Sequence, residues 1–374
     1  MRKKFRAAVI GMALVCTPLT GVGLASAQTP PAGESPPMHD RIVEQLRKLA
    51  NAPVNVVPLR GGAYWVPSAT GSTNGGFIIG DKGVIVIDAQ MFKPTIDKML
   101  AEIAKITPNP VTTIILTHSD PDHINGLPFW PRGVEVISTT ETKAQIERML
   151  VNPKVNGELL PTPEIRDYVP RLAITGKRRI VRNGVTIELL HIAPAHTDGD
   201  LVIYLPQQKI VYAGDLTPLG PYPGIHTFKG GSLAGWIATM KAMLALDADT
   251  YIPGHNDILS KAELQRRLDA TIARRAEIKA MIEKGMTLEQ VKAALHDPAP
   301  SGEGAMFPGF TENTYEELKA PSERAKIKSM IAKGMTLEQI KAAVHERAPI
   351  GLERQFPSFV ERTYRQLTAR NGSR

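Results

Sequence analysis

The sequence predicts a layered α/β protein that carries a helical extension at its C-terminal end. Between about Val54 and Ile258, short apolar strands alternate with amphipathic helices. Polar residues repeatedly follow the apolar runs, at the points where strands would end. Beyond residue 270 the strand pattern stops, and a helical pattern recurs once with an offset of 49 residues.

Residues 1–27 have the layout of a secretory signal peptide, so we expect a periplasmic or secreted protein that is cleaved after Ala27. Four basic residues precede an apolar stretch, and Ala-Ser-Ala supplies the small-x-small cleavage site. An uncleaved membrane anchor is less favoured, because Pro18 and three glycines interrupt the apolar stretch. A lipoprotein is also disfavoured, because Val15 is a poor residue before a lipidated Cys16.

Cleavage of the leader changes what the composition implies. The full chain of 374 residues carries a formal net charge of +8, and the leader contributes four basic residues and no acidic ones. The mature surface is therefore only mildly basic, and nucleic-acid binding is not favoured. Cys16 is the single cysteine, so the mature protein has neither a disulfide nor a thiolate ligand, which suits an oxidising compartment. We expect no membrane association after cleavage.

The N-terminal half is predicted to begin with a tether and helix at 28–53. QTPPAGESPP is read as flexible chain, and MHDRIVEQLRKLA has the apolar spacing of a short helix. Four strands are then predicted at NVVPL, AYWV, GFIIG and VIVID, and GDKG at 80–83 joins the last two as a hairpin. TIDKMLAEIAKI predicts a helix, and VTTIILT predicts a buried strand.

The same alternation continues to about residue 258. TKAQIERML predicts a helix, and RIVRNGVTIELLHI predicts two strands around an Arg-Asn-Gly turn. DLVIYLPQQKIVYAGD predicts two further strands, LAGWIATMKAMLAL a helix, and TYIPGHND a last strand with its loop. These segments complete a catalytic domain that we place at 54–270.

A cluster of ionisable side chains follows the strand VTTIILT directly. The stretch THSDPDHING places two imidazoles and two carboxylates within six residues: His118, Asp120, Asp122 and His123. Burying such groups is unfavourable unless they are paired or bind an ion. The cluster therefore predicts a metal site.

Four other polar points stand at predicted strand ends. Asp88 ends VIVID, His196 follows TIELLHI, Asp215 ends IVYAGD, and His255 follows TYIPGH. Side chains at the ends of strands can converge at one edge of a sheet, where open α/β folds bind ligands. Imidazole and carboxylate together are ligands for zinc, and also for iron or manganese.

The motifs THSDPDHING, PAHTDGD, VYAGD and IPGHND, in this order, resemble the metallo-β-lactamase superfamily over roughly Val54 to Ile258. The resemblance implies an αββα sandwich with a two-metal site at one edge of its sheets. It implies that the first metal is held by His118 and His196, and the second by Asp122, His123 and His255. It further implies that Asp215 bridges the metals and that Asp88 braces the site.

One position departs from the family pattern His-x-His-x-Asp-His, because Asp120 stands where the second histidine is usual. A carboxylate can also bind a metal, so we expect Asp120 to be a ligand and Asp120→His to keep a working site. Two zinc ions per chain are expected, with iron or manganese as alternatives that an added carboxylate favours.

The resemblance implies an exported metal-dependent hydrolase of small molecules, with Asp122 and Asp215 at its catalytic centre. Two cations about 3.5–4 Å apart can share a hydroxide and polarise an ester, lactone, amide or phosphodiester. A β-lactamase proper, or a non-catalytic binding protein on the same fold, are alternatives. For a β-lactam carboxylate the sequence offers only weak candidates: Thr217, Lys229 and Ser232.

Other polar residues near the motifs have simpler interpretations. His191 is expected to be a strand residue or a neighbour that orients His196. His226, in the loop after Asp215, is expected to be solvated, with a substrate-facing position as the alternative. Asp198 and Asp200 are expected to cap the turn that follows His196.

The extension at 271–374 contains a duplication, in copies at 275–320 and 324–369. RAEIKAMIEKGMTLEQVKAALHD recurs as RAKIKSMIAKGMTLEQIKAAVHE, and FPGFTENTYEEL recurs as FPSFVERTYRQL. In each copy, glycine ends one helix and Thr-Leu-Glu-Gln begins the next with a capping box. We expect helical hairpins packed on the core, which form a lid or a homo-oligomer contact or have no role in the chemistry.

Overall fold

The structure is a computed structural model that describes residues 48, 50–67, 73–151, 164–217, 220–297, 308–344 and 358–369. The predicted leader and tether lie outside these residues, as does most of the predicted helix at 38–50, of which Lys48 and Ala50 are described and helical. Within the described ranges, no helix combines the length and the apolar character that a membrane span requires.

The first sheet contains seven strands in chain order. The strands β1 to β4 pair antiparallel, and β4 to β7 pair parallel. The seven strands are β1 (Val57–Pro58), β2 (Ala63–Val66), β3 (Gly75–Ile79), β4 (Val84–Ile87), β5 (Val111–Ile115), β6 (Glu135–Thr139) and β7 (Leu172–Ile174). The parallel strands are connected through three helices: α1 (Lys93–Ile106), α2 (Pro121–Ile124) and α3 (Thr140–Val151).

The second sheet contains six strands in the order β13-β12-β11-β10-β9-β8. Only β11 and β12 pair parallel in this sheet, and helix α4 (Leu233–Leu244) lies between them in the chain. The strands are β8 (Lys177–Arg182), β9 (Val185–Leu190), β10 (Val202–Leu205), β11 (Ile210–Gly214), β12 (Thr250–Pro253) and β13 (Leu259–Ser260).

Alternating side chains on the strands build the layers. On β4, Ile85 and Ile87 face the second sheet, whereas Val84 and Val86 pack against helix α1 through Ile96, Met99 and Ile103. On β10, Ile203 and Leu205 face the first sheet, and Val202 and Tyr204 lie in the core that contains Trp236 of α4. The prediction of an αββα sandwich is therefore confirmed.

The helices follow from local sequence as well as from packing. Helix α1 presents Ile96, Met99 and Ile103 on one face, at the spacing of an amphipathic helix. At the start of α4, the Ser232 side chain accepts a hydrogen bond from the Gly235 N–H. Trp236 on the buried face of α4 is fully buried, and its indole N–H donates to the Leu216 carbonyl oxygen.

Three strands were not predicted from the sequence: β6, β7 and β13. In β6 the fully buried residues include Ser138 and Thr139, whose polarity hides the strand from a hydrophobic pattern. Their hydroxyl groups are satisfied by carbonyl oxygens, of Thr139 and Gly199 respectively. Such strands depend on neighbouring chain segments, which a local pattern does not contain.

The extension contains five helices among the described residues: α5 (Lys261–Glu283), α6 (Leu288–Ala294), α7 (Phe310–Ala332), α8 (Leu337–Ala343) and α9 (Phe359–Ala369). Helix α5 runs through residue 270, so no break in secondary structure marks the domain boundary that we predicted there. Helix α7 packs on α5 and α6, and α9 packs on α7 and α8.

The two copies have the same local geometry. Capping boxes are present at Thr287 and Thr336, and the preceding Gly285 and Gly334 have φ values of 80° and 77°. The copies differ from the predicted pair of hairpins in one respect. The last helix of the first copy and the first helix of the second copy are one continuous helix, α7.

The first half of α7 is attached to the sandwich. The Glu317 carboxylate accepts hydrogen bonds from the Ser232 hydroxyl and the Ala234 N–H, both at 3.1 Å, at the N-terminal end of α4. A carboxylate is favourable there because the N-terminal end of a helix carries a partial positive charge. The Asn313 amide donates to the Ile225 carbonyl oxygen at 3.0 Å. The second copy has its own small core, which includes Ile327, Ile340 and Val360.

We predict that a chain ending at Lys319 folds, because this cut leaves the contacts of Glu317 and Asn313 in place. A chain ending at Asp297 loses both contacts and should melt roughly 5–10 °C lower. Thermal melts by circular dichroism and light scattering of the two truncated chains test this. Equal melting temperatures of the two truncated chains would show that the first copy does not brace the sandwich. If the chain ending at Lys319 has the same number of subunits as the full chain, the result argues against self-association through the second copy.

Candidate metal centre

The structure brings all seven predicted ligands to one edge of the sandwich, where strands of both sheets end. Asp88 follows β4, and the segment from His118 to His123 follows β5 in the first sheet. In the second sheet, His196 follows β9, Asp215 follows β11 and His255 follows β12. The strands run in directions that place these five ends together, as parallel pairing of β4 with β5 and of β11 with β12 requires.

One group of four side chains offers ligand atoms that all lie within 4.8 Å of one another: His118, Asp120, His196 and Asp215. Asp120 Oδ2 lies 3.1 Å from His196 Nε2 and 3.6 Å from His118 Nε2. Asp215 Oδ2 lies 3.8 Å from His196 Nε2 and 4.0 Å from His118 Nε2. These separations suit ligand atoms that surround one cation.

A second group contains Asp122, His123 and His255, again within 4.8 Å. Asp122 Oδ2 lies 3.2 Å from His255 Nε2 and 3.5 Å from His123 Nε2. Asp215 also faces this group, at 3.4 Å from both imidazoles. Asp215 therefore lies between the two groups, where a bridging ligand would stand.

Asp88 braces the cluster through both of its carboxylate oxygens. Oδ2 accepts a hydrogen bond from His123 Nδ1 at 2.8 Å, and Oδ1 accepts one from the Thr117 N–H at 2.7 Å. The Thr117 hydroxyl donates to Oδ2 and lies 3.0 Å from His118 Nδ1, from which it can accept. Asp88 itself has a φ of 59°, a strained value that a surrounding network must hold.

Three imidazole rings of the cluster are each held through Nδ1. The Nδ1 atoms of His118 and His123 are held by Thr117 and Asp88, and His196 Nδ1 donates to the Gly224 carbonyl oxygen at 2.8 Å. Each ring therefore directs Nε2 toward the centre of the cluster. Hydrogen bonds at the far nitrogen are the usual way in which proteins fix the tautomer of a metal-binding histidine.

Two site residues, Thr73 and Asn74, were missed by sequence reasoning. Both are buried directly before β3, and the Thr73 hydroxyl donates to Asp122 Oδ2. The Asn74 amide donates to the Pro253 and Asn256 carbonyl oxygens, and so holds the loop of His255. Neither residue is part of a motif, and the sequence contains no signal that links them to loops 49 and about 180 residues away.

The loop after Asp215 corrects two expectations. His226 was expected to be solvated, but its side chain is only 16% exposed and its Nδ1 lies 3.0 Å from Asp120 Oδ2. Lys229, considered as a substrate anchor, is buried and its Nζ lies 2.7 Å from Asp120 Oδ1. The chain folds this loop back over the cluster, an arrangement that sequence spacing does not reveal.

The turn after His196 is held as predicted in the case of Asp200. Its carboxylate accepts hydrogen bonds from the N–H and the hydroxyl of Thr197, both at 2.9 Å. His191 Nδ1 donates to the Asp200 carbonyl oxygen at 2.9 Å, so His191 supports the turn that carries His196. Burial raises the pKa of Asp198 to about 6, so this carboxyl is partly protonated near that pH.

Charge pairing dominates the electrostatics of the cluster. Burial disfavours a charged His196, but Asp120 and Asp215 outweigh burial and raise its pKa to about 9. Burial likewise opposes a charged His255, and Asp215 and Asp122 raise its pKa to about 10. Burial alone would raise the pKa of Asp122. The neighbouring imidazoles of His123 and His255 outweigh burial and hold this pKa well below its usual value. Without a metal, imidazolium rings therefore balance the carboxylates.

The residues fit a pair of divalent metal ions. Three atoms that face the centre make no hydrogen bond within the described residues, although all are buried: His118 Nε2, His123 Nε2 and Asp215 Oδ1. Buried polar atoms without partners are rare unless an ion or water satisfies them. Imidazole nitrogen with carboxylate oxygen is a donor set that zinc, iron and manganese accept.

We predict that Asp88→Asn lowers metal affinity about 10- to 100-fold, because it removes the charged acceptor that orients His123. Elemental analysis after dialysis against graded chelator measures the loss. The control is Asp247→Asn, a change at an exposed carboxylate that pairs with Lys209. Equal metal content in both variants would contradict a bracing role for Asp88.

The raised pKa values of His196 and His255 predict a pH dependence of the metal-free protein. Groups whose folded pKa is raised stabilise the fold at pH below their unfolded pKa, and this contribution is lost as the pH rises through the folded value. The chelator-treated protein should therefore lose thermal stability between about pH 7 and pH 10. With metal bound, the rings are already deprotonated, so the loss should be smaller. The measurement is the melting temperature of the metal-free and the metal-loaded protein as a function of pH. If both melting temperatures fall with the same slope in this range, the result contradicts the charge pairing.

Comparison with known proteins gives relatives of several activities. A linear primary-alkylsulfatase from a Pseudomonas species is 24% identical over 259 residues, which cover 58% of this chain and 49% of that protein. The alpha subunit of a 2,4-dinitroanisole O-demethylase from a Nocardioides species is 30% identical over 223 residues, which cover 58% of this chain and 62% of that protein. The chain thus spans about half to three-fifths of the length of these curated relatives.

Among solved structures, the inverting sec-alkylsulfatase Pisa1 from a Pseudomonas species matches with a TM-score of 0.56 at 17% identity. This match covers 80% of the present chain and 58% of that protein, and at this identity it bears on the fold alone. The sequence profile of the metallo-β-lactamase superfamily matches residues 69–255, which is half of the chain and includes every residue of the two ligand groups. The chain therefore belongs to the metallo-β-lactamase superfamily.

Proposed function

We propose that the protein is a binuclear metal-dependent hydrolase. The single observation that carries the proposal is the convergence of two ligand groups on Asp215 at one edge of the sandwich. In this proposal His118, Asp120 and His196 would hold the first metal, and Asp122, His123 and His255 would hold the second. Asp215, which lies between the two groups, would serve both. Zinc is the expected metal, and iron or manganese are the alternatives.

Two bound cations would activate a water molecule and polarise the bond that is cleaved. The residues of the chain supply the rest. Asp122 stays ionised at neutral pH because two imidazoles lower its pKa, and the Thr73 hydroxyl fixes one of its oxygens. Asp122 can therefore orient a water by accepting a hydrogen bond from it, whereas its lowered pKa makes it a poor proton acceptor. Burial of the cluster keeps these charges out of bulk water, where they would act more weakly.

Within the hydrolases, we infer that sulfate esters are the first substrate class to test. The relative named as a linear primary-alkylsulfatase supports this class, because it aligns over 259 residues, against 223 for the O-demethylase subunit. Aryl ethers are a second class, because the O-demethylase subunit is 30% identical over 58% of this chain.

A β-lactamase is less well supported by the contacts of the three candidate anchors. Lys229 pairs with Asp120, and Ser232 caps helix α4 while it donates to Glu317. Thr217 is buried and donates to the Gly214 carbonyl oxygen at 3.3 Å. All three polar groups are therefore engaged in contacts within the chain. A non-catalytic binding protein would need no such complete set of ligands.

The location and the assembly of the protein are also proposals. We propose a periplasmic or secreted enzyme, cleaved after Ala27, on the basis of the leader-like residues 1–27. Its partner is a small-molecule substrate rather than nucleic acid. A homo-oligomer formed through the second helical copy remains a prediction that light scattering tests.

We predict that the protein, loaded with zinc, iron or manganese, hydrolyses a primary or secondary alkyl sulfate with release of inorganic sulfate. Ion chromatography measures the sulfate, and the panel also contains an aryl methyl ether, a lactone, a β-lactam and a phosphodiester. Asp215→Asn should lower turnover of the preferred substrate at least about 1000-fold, because it removes the bridging charge from both metals.

Two controls separate the chemistry from the fold. Removal of metal by chelator should abolish turnover reversibly. Asp249→Asn, at the opposite end of β12 from His255, should leave turnover unchanged. If no member of the panel is hydrolysed although two metals are bound, the hydrolase proposal is wrong and a binding role is favoured.

A further inference from the structure

Asp120 is paired with a buried cation from a distant part of the chain. Lys229 is only 6% exposed, and its Nζ lies 2.7 Å from Asp120 Oδ1 and 3.1 Å from the Ser119 carbonyl oxygen. An ammonium group that is removed from water is unfavourable unless an opposite charge and hydrogen bonds compensate it. Asp120 supplies that charge across 109 residues of sequence.

The loop that carries Lys229 is fixed to the segment that carries His196. The His226 N–H donates to the His196 carbonyl oxygen at 2.8 Å, and the Asp198 N–H donates to the Lys229 carbonyl oxygen at 2.9 Å. Close packing requires glycine after the loop, because a Cβ at Gly231 would lie 2.3 Å from the His196 carbonyl oxygen. The ammonium group is thus held in place by the backbone.

The two oxygens of Asp120 have different surroundings. Oδ1 faces Lys229, whereas Oδ2 faces the ligand atoms of His118 and His196 at 3.6 Å and 3.1 Å. The His226 ring also approaches Oδ2, at 3.0 Å. Oδ2 is therefore left to face a metal, whereas Oδ1 is occupied by Lys229. The ammonium group also balances the negative charge that Asp120 adds to the metal site.

We propose that Lys229 is a positioning residue, a built-in counter-cation that makes Asp120 a one-oxygen metal ligand. In this proposal Asp120 and Lys229 together replace the histidine that the motif usually has at position 120. The inference rests on the proposed metal-binding role of the cluster. It adds a residue that no motif contains, and it explains how the site accepts a fourth carboxylate.

The pairing changes what a substitution at Asp120 does. In Asp120→His, the Lys229 ammonium loses its partner and stands beside a neutral imidazole and a bound cation. The expectation from the sequence, that this change keeps a working site, should therefore fail for the single variant. Lys229→Met removes the ammonium at nearly the same volume, so Asp120→His with Lys229→Met restores the composition of an ordinary histidine site.

The test is a double-substitution cycle, read by metal affinity in chelator competition and by metal content per chain. The protein that carries Asp120→His alone should bind the first metal at least about ten times more weakly than the doubly substituted protein. The doubly substituted protein should bind two metals per chain. The matched control is Lys209→Met, which breaks an exposed lysine–aspartate pair and should leave metal affinity unchanged.

The cycle is repeated with Asp120→Asn, which keeps the shape of the side chain, so that poor folding of the histidine variant does not decide the result. Rescue by Lys229→Met in either background supports the proposal, because a merely structural lysine would make both double variants worse. Equal affinities of single and double variants overturn it. If the unsubstituted protein binds no metal, the proposed function fails, and rescue of the melting temperature of the metal-free variants still tests the pairing.

Discussion

Burial of negative charge is the constraint on which the site depends. Four carboxylates lie within one small region: Asp88, Asp120, Asp122 and Asp215. Each is close to an imidazole or an ammonium group. These partners hold the pKa values of Asp120, Asp122 and Asp215 low, although burial alone would raise them. In the proposed function His123, His196 and His255 therefore have two roles, as counter-ions without metal and as ligands with metal. Proton release on metal binding follows from this exchange.

The sandwich holds these groups together because Asp88, Asp215 and His255 come directly or almost directly after the ends of strands. Both oxygens of Asp88 are used to orient the segment from Thr117 to His123. The helical extension adds a support from outside the sandwich, since Asn313 holds the Ile225 carbonyl group beside His226. The duplicated sequence therefore contributes unequally, with its first copy attached to the site loops and its second copy attached mainly to the first.

Much of the fold could be predicted from local pattern. The helix α1 and the strands β4 and β10 have clear periodicity, and each was found where the pattern indicated. The strand β6 could not be predicted, because its buried Ser138 and Thr139 are satisfied by hydrogen bonds to backbone carbonyl oxygens, one of them on Gly199. The continuous helix α7 was also missed, because the duplication suggested two separate units where one helix serves both copies.

The sequence by itself determined the ligand types, their order and their position after strands, since these are properties of neighbouring residues. It therefore sufficed to predict that His118, Asp122 and the other motif residues would converge. Only the tertiary structure decided that Lys229 and His226 turn inward to Asp120, and that Thr73 reaches Asp122. Electrostatic pairing acts through space, so a partner 109 residues away leaves no trace in local spacing.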